Sequence, residues 1–184
     1  MMLESLLLKS SRGLMSRVRI FFYRCLGLRA GSRNRMESGR CRRLDQIELG
    51  NLNALTQGYC LWPEDSDHDG VRIRIGHHNY FNRNLMIDAC GRVEIGDENM
   101  FGPDVYITDS NHEVRHGESA QNLPMKVGSV KIGDRCWIGA KAIILKDVEL
   151  GDGCIVGAGA VVTKSFPAGS VIAGVPARLI RTVS

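Results

Sequence analysis

A chain of 184 residues, 43% hydrophobic and 24% charged, suffices for one well-cored domain plus an appendage and reads as a soluble globular protein. Its 21 glycines against 5 phenylalanines and 4 tyrosines exclude an interior filled chiefly by aromatic rings, so small residues must shape it. The net charge of +4 averages two unlike parts: residues 1–43 carry 11 Lys/Arg and 2 Asp/Glu (11 − 2 = +9), and residues 44–184 carry 13 and 18 (13 − 18 = −5).

The first element, residues 1–43, is a basic amphipathic segment containing "SRGLMSRVRIFFYRCLGLRAGSRNR". Arg12, Arg17, Arg19 and Arg24 break every apolar run well short of the roughly 18 residues a membrane span needs. Two readings stay open for it. It packs as a helix with a solvated basic face, or it rests on an anionic membrane surface or a phosphate-bearing lipid. The run "LESLLL" is short and has no basic flank before it, so a secretory signal is not expected. The six cysteines are then expected as free thiols in the cytoplasm, possible disulfides being disfavoured there.

From residue 44 onward the chain counts in sixes. A faint set, "LGNLNA LTQGYC LWPEDS", begins at Leu49, followed by the insertion "DSDHDGVR" over residues 65–72. The frame returns as "IGHHNY FNRNLM IDACGR" from Ile75 and "IGDENM FGPDVY ITDSNH" from Ile95. It breaks from Glu113 to Lys131 and resumes as "IGDRCW IGAKAI ILKDVE LGDGCI VGAGAV VTKSFP", led by Ile132, Ile138, Ile144, Leu150, Val156 and Val162. No helix has a period of six. The spacing predicts a solenoid of triangular coils, with one hexad to each flat side and the leading aliphatic inward. Glycine or a small residue is expected to permit the tight corner. Four coils and a frayed C-terminal turn are expected, occupying residues 44–172, with a tail over 173–184. Because the register is the same on both sides of residues 113–131, that segment must leave and re-enter the coil at one corner as a protruding loop.

The pieces "YFNRNLMID", "IGDENMFGPDVYITDSNH", "VKIGDRCWIGAKAIIL", "LGDGCIVGAGAVVTK" and "AGVPARLIR", in that order between Asn79 and Arg181, resemble the hexapeptide-repeat acetyltransferases. The likeness is to the xenobiotic, maltose and galactoside acetyltransferase group and its polysaccharide O-acetyltransferase relatives. It implies an all-β solenoid, a left-handed parallel β-helix with an N-terminal helical segment. It also implies acetyl transfer from acetyl-CoA directly to an acceptor, with no metal and no nucleic acid involved. The expected acceptor is a sugar hydroxyl in surface polysaccharide synthesis; an N-acetyltransferase of an amino sugar or small amine and a non-catalytic scaffold are the alternatives. The resemblance implies a homotrimer with active sites between subunits; the lack of a secretory signal places the chain in the cytoplasm, and the basic N-terminus allows contact with the inner membrane face.

The same likeness assigns roles. His112, at the mouth of the protruding loop, would be the general base, since imidazole takes and returns a proton near neutral pH. Glu113 follows it where that group often has proline. Asn82 would contact the acceptor and Asp109 would orient the imidazole. Gly139, Ala140, Gly157 and Ala158 would line the pantetheine groove, with a backbone N–H of Gly139 or Ala140 as oxyanion donor. Thr163, Lys164, Arg178 and Arg181 match the adenine and phosphate end. Trp137 would lie near the thioester arm or pack on a neighbouring subunit. Cys136 and Cys154, at the small position of their hexads, are read as apolar packing groups and not as acyl carriers. His68, His77, His78 and His116 show no zinc-binding pattern.

Overall fold

The computed structural model describes residues 2–64 and 70–183; most of the 65–72 insertion, His68 included, lies outside the described residues. A helix over Met2–Cys25 leads into a prism of three parallel sheets. The first sheet stacks Arg29–Ala30, Ile47–Leu49, Ile73–Ile75, Arg92–Ile95, Ser129–Ile132 and Val148–Leu150. The second stacks Arg35–Met36, Ala54–Leu55, Tyr80–Phe81, Met100–Phe101, Trp137–Ile138, Ile155–Val156 and Ser170–Ala173, and Arg178–Thr182 folds back antiparallel on the last of these. The third stacks Gly39–Cys41, Tyr59–Pro63, Met86–Ala89, Tyr106–Thr108, Ile143–Ile144 and Val161–Val162. The chain thus visits the three faces in turn and climbs one strand spacing per circuit, as a left-handed parallel β-helix does.

Six-stranded first and third sheets exceed the expected four coils and frayed turn. Val148 to Val162 form a complete coil, and another lies upstream of residue 44: Arg29–Ala30 pairs with Glu48–Leu49, Arg35–Met36 with Ala54–Leu55 and Gly39–Cys41 with Tyr59–Leu61. Its leading positions are Ala30 and Met36 and its outward positions are arginines, so the repeat is hidden inside a basic composition.

Each leading residue from Ile132 to Val162 is buried, as are Cys136, Ala142, Val148, Cys154 and Ala160 one place before the outward position. Phe81 and Phe101 sit on successive coils with ring centroids 4.7 Å apart, which is the coil spacing itself.

Glycine serves the corner as expected at Gly153 and Gly159, but the glycines in second place act differently. The left-handed corner falls on the fourth residue of the hexad: Arg135, Lys141, Asp147, Gly153 and Gly159 have φ between 54° and 69°. The glycine in second place serves coil-to-coil approach instead. A Cβ on Gly151 would stand 2.4 Å from the Ala168 nitrogen, inside any allowed contact.

A second ladder runs at the corner between the first and second sheets. Asn34, Asn53, Asn79 and Asn99 each accept, through Oδ1, the backbone N–H of the equivalent residue one coil on: Asn53, Asn79, Asn99 and Cys136, at 2.7–2.9 Å. These amides satisfy backbone groups that a tight corner would leave unpaired.

The helix closes the open end of the core. Ser16 Oγ accepts the Met36 N–H at 2.8 Å, Arg19 Nη1 donates to the Met36 oxygen at 2.8 Å, and Ile20 is buried with Leu28 and Met36. No described helix is long and apolar enough to cross a membrane.

The three outer faces differ. On the first sheet the outward column is Glu48, Arg74, Glu94, Lys131 and Glu149, with Arg74–Glu48 at 3.2 Å and Lys131–Glu149 at 3.1 Å. Such exposed pairs contribute little stability and mark a face made for water. The second sheet presents Tyr80, Met100, Trp137 and Ile155, and the third Met86, Tyr106, Ile143 and Val161.

Candidate functional site

His112 ends the strand Ser110–His112, which pairs antiparallel with Met125–Val127, placing His112 opposite Met125. The segment after His112 is therefore the head of a hairpin, and the chain rejoins the first sheet at Ser129. Leu123 is buried and pins the loop, and the Glu113 N–H donates to the Pro124 oxygen at 3.1 Å. The Glu113 carboxylate is drawn to cations, Arg115 at 2.9 Å and Lys126 at 3.9 Å, and so turns along the loop. The His112 side chain is exposed and has no polar partner among the described residues, leaving its nitrogens free to exchange a proton. His116 lies exposed in the same loop.

Asp109 is placed beneath this hairpin. Its carboxylate is fully buried, Oδ1 accepting the Cys90 N–H at 2.8 Å and Oδ2 the Gly91 N–H at 2.9 Å. Its backbone oxygen accepts the Gly128 N–H at 2.8 Å, where the hairpin closes. Burial pushes its carboxyl above the ordinary carboxylate range in spite of the N–H donors that favour the charged form. Asp109 ties the root of the hairpin to the coil below and does not touch the imidazole.

The other expected residues divide between two edges of the prism. Asn82, Gly139, Ala140, Gly157 and Ala158 all follow second-sheet strands, at the edge shared with the third sheet. His112, Thr163 and Lys164 follow third-sheet strands, at the edge shared with the first. Asn82 and His112 thus stand at different edges of the prism within one chain. Arg178 and Arg181 lie exposed on the antiparallel strand that extends the second sheet. The Lys164 ammonium lies 5.5 Å from the centre of the Phe166 ring.

An open groove of about 620 Å³ runs beside the first of these edges. Asn82 and the paired turns Gly139–Ala140 and Gly157–Ala158 form one side of it. Tyr80, Met100 and Trp137 form an apolar strip along it, Trp137 being 53% exposed. Asn82 Oδ1 accepts the Arg83 N–H at 2.8 Å, which fixes the side chain, and its amide N–H groups have no partner among the described residues. The Gly139 N–H is spent on the Val156 oxygen at 2.8 Å, whereas the Ala140 N–H has no partner among the described residues. Of the two donors expected for an oxyanion, only Ala140 is free.

Tyr80 and Met100 escaped the reading by hexads, although a signal existed. Taken down the column, the residue before each second-sheet leading position is Tyr80, Met100, Trp137 and Ile155, apolar where a water-facing strand would be polar.

Cys136 and Cys154 are buried, their Sγ atoms 3.4 Å from the Gly151 oxygen and 3.2 Å from the Pro167 oxygen. Burial pushes the Cys136 thiol up to about 11, far from the thiolate a nucleophile requires. His77 is exposed and joins two coils at the surface, its Nδ1 accepting the Asn51 N–H at 2.9 Å.

Comparison with known proteins agrees with this architecture. Residues 129–164 match the family model described as bacterial transferase hexapeptide (six repeats). Over 138 residues the chain is 44% identical to nodulation protein L of Rhizobium leguminosarum bv. viciae, an alignment covering 74% of this chain and 72% of that protein. It is 39% identical over 115 residues to the galactoside O-acetyltransferase of Escherichia coli (strain K12), covering 62% of this chain and 56% of that one. A solved structure of a galactoside acetyltransferase in complex with coenzyme A superimposes with a TM-score of 0.62 and 28% identity, over 84% of this chain and 65% of that one.

Proposed function

Because the chain belongs to the hexapeptide-repeat acetyltransferases, we propose that it transfers an acetyl group from acetyl-CoA to a sugar hydroxyl, in the synthesis of a surface polysaccharide. The observation that carries the reading is the groove of about 620 Å³: an apolar strip faces two bare turns, each with an N–H, at Ala140 and Ala158, that has no partner among the described residues, beside an amide side chain fixed by its own turn. An extended thioester arm suits that shape, with Trp137 against its apolar part and the Ala140 N–H toward the carbonyl oxygen.

In the reaction His112 takes the proton of the acceptor hydroxyl. The acceptor oxygen bonds to the acyl carbon, the carbon–sulfur bond breaks, and the imidazolium returns the proton to the departing thiolate. Asn82 orients the acceptor. Lys164, Thr163, Arg178 and Arg181 meet the phosphate and adenine end of CoA.

This assignment requires more than one copy. The outward columns Tyr80, Met100, Trp137 and Ile155 of the second sheet and Met86, Tyr106, Ile143 and Val161 of the third are apolar while the first sheet's is charged, so association through those columns would set the His112 edge of one copy against the Asn82 groove of the next. Closing that contact on itself three times gives a homotrimer with one site in each interface. The cytoplasm suits the chain, whose cysteines are all free. The relatives' O-acetyl chemistry favours a hydroxyl acceptor over an amine.

Thiol release from acetyl-CoA, measured against a panel of sugars and amino sugars, tests the reading. A hydroxyl-bearing sugar should be the substrate, and His112→Ala should lose about 10²-fold or more in kcat. Thiol release driven only by amino sugars, or unchanged by the substitution, refutes it.

A further inference from the structure

The N-terminal helix uses one face to close the prism and leaves the opposite face bare. Ser16, Ile20 and Tyr23 turn toward the first coil. At about 100° per residue, Leu14, Met15, Val18, Phe21, Phe22 and Leu26 gather on the far side. All are exposed, Phe21 by 64%, Phe22 by 59% and Leu26 by 67%. A continuous apolar strip of this size is a place of contact.

Beside the strip lies a cleft of about 600 Å³ between the helix and the first coil, lined by Arg17, Arg24, Arg33 and Arg35 and, among the described residues, by no acidic side chain. Arg24 Nη2 donates to the Ala30 and Gly31 oxygens at 2.7 Å, which fixes the cleft wall. Arg35 stands 3.7 Å from Glu37, while Arg17 and Arg33 have no acidic partner among the described residues.

We propose that this end of the molecule docks on the surface of an anionic lipid bilayer, with the helix in the interface plane. Phe21, Phe22 and Leu26 enter the boundary between headgroups and acyl chains, and Arg17 and Arg33 lie among the phosphates. Charge selects this occupant over a second copy. Residues 1–43 carry 11 Lys/Arg against 2 Asp/Glu, so two such ends brought face to face would set arginines against arginines. The groove beside Asn82 lies further up the prism, past the coil that carries Ala54–Leu55, so docking leaves it open to solvent. Docking rests on the helix and its arginines alone, so vesicle binding and acetyl transfer succeed or fail separately.

Co-sedimentation of the full chain with phosphatidylcholine vesicles, with and without phosphatidylglycerol, tests the proposal. Binding is expected to the phosphatidylglycerol vesicles, with release at high salt. Phe21→Asp with Phe22→Asp should abolish it, and Arg17→Gln with Arg33→Gln should weaken it about tenfold or more at low salt; both variants should keep wild-type thiol release. If the phenylalanine pair does not fold, the exposed arginine pair carries the test alone. Failure to bind, equal binding to both vesicles, or binding that neither pair alters overturns the proposal. So does a fall in assembly mass in the phenylalanine variant without vesicle binding, which would mean that a second copy covers the strip.

Discussion

Asn82 and His112 stand on different edges of the same prism, one following a second-sheet strand and the other a third-sheet strand. If both act on one acceptor, each active site draws them from two chains. Asn82→Ala and His112→Ala, each inactive alone, should therefore complement when the two are denatured together and refolded. Random mixing leaves both residues intact at about a quarter of such two-chain sites, so the mixture should regain about that share of wild-type activity. No recovery in properly reassembled mixtures means that each site draws both residues from one chain.

Trp137 sits in the groove with half its surface open, so its value lies in what it binds and not in the core. Trp137→Ala should raise KM for acetyl-CoA roughly tenfold, the lower end expected when an aromatic contact of about 1.5–3 kcal/mol is removed. The thermal midpoint of the dissociated chain should barely move. A fall in assembly mass with unchanged KM would make Trp137 an interface residue instead.

Gly151 and Gly153 share a hexad but are glycine for different reasons. Gly151 faces the Ala168 backbone nitrogen, which an added Cβ would meet at 2.4 Å, while Gly153 has open space and a φ of 67°. Gly151→Ala forces coils apart, at a cost of about 1–3 kcal/mol. Gly153→Ala meets only the left-handed penalty of about 1–2 kcal/mol. Asparagine separates the two cases, because it tolerates the left-handed region: Gly153→Asn should unfold close to wild type, and Gly151→Asn below Gly151→Ala. Equal losses in both asparagine variants would show that the two glycines act alike.

The fold was legible because burial of Ile132, Ile138 and Ile144 imposes the period of the coil directly on the chain. The corners are not legible in the sequence because two requirements, left-handed φ and close approach, both select glycine, and only the folded backbone separates them. Arg135, Lys141 and Asp147 in the left-handed position conceal it further, since each bears a side chain there at a cost. The first coil stayed hidden because arginine fills its outward positions and Ala30 and Met36 lead its hexads. At the site, the register of His112 could be read from where the repeat breaks. Its separation from Asn82 and the buried attachment of Asp109 depend on which face follows which, and that is a property of the closed prism.

Asp109 carries the pH prediction. Both carboxylate oxygens accept backbone N–H groups, yet burial dominates and raises its folded pKa above the unfolded value of 3.8. A raised carboxyl pKa means that the native state binds the proton more tightly than the unfolded state. Its contribution is therefore fully present below 3.8, declines as pH rises through the folded pKa, and is level above it. Asparagine does not titrate and turns one acceptor into a donor aimed at an N–H, so Asp109→Asn should cost about 1–3 kcal/mol at neutral pH. The difference in unfolding free energy between wild type and Asp109→Asn, measured by denaturant titration from acid to neutral pH, isolates the group. It should shrink as pH rises above 3.8 and then hold constant. A difference that grows with pH would mean that the N–H donors of Cys90 and Gly91 outweigh burial. Because the Asp109 oxygen also receives the Gly128 N–H that closes the hairpin, the same variant should reduce kcat through a loosened His112 while leaving KM for acetyl-CoA near wild type.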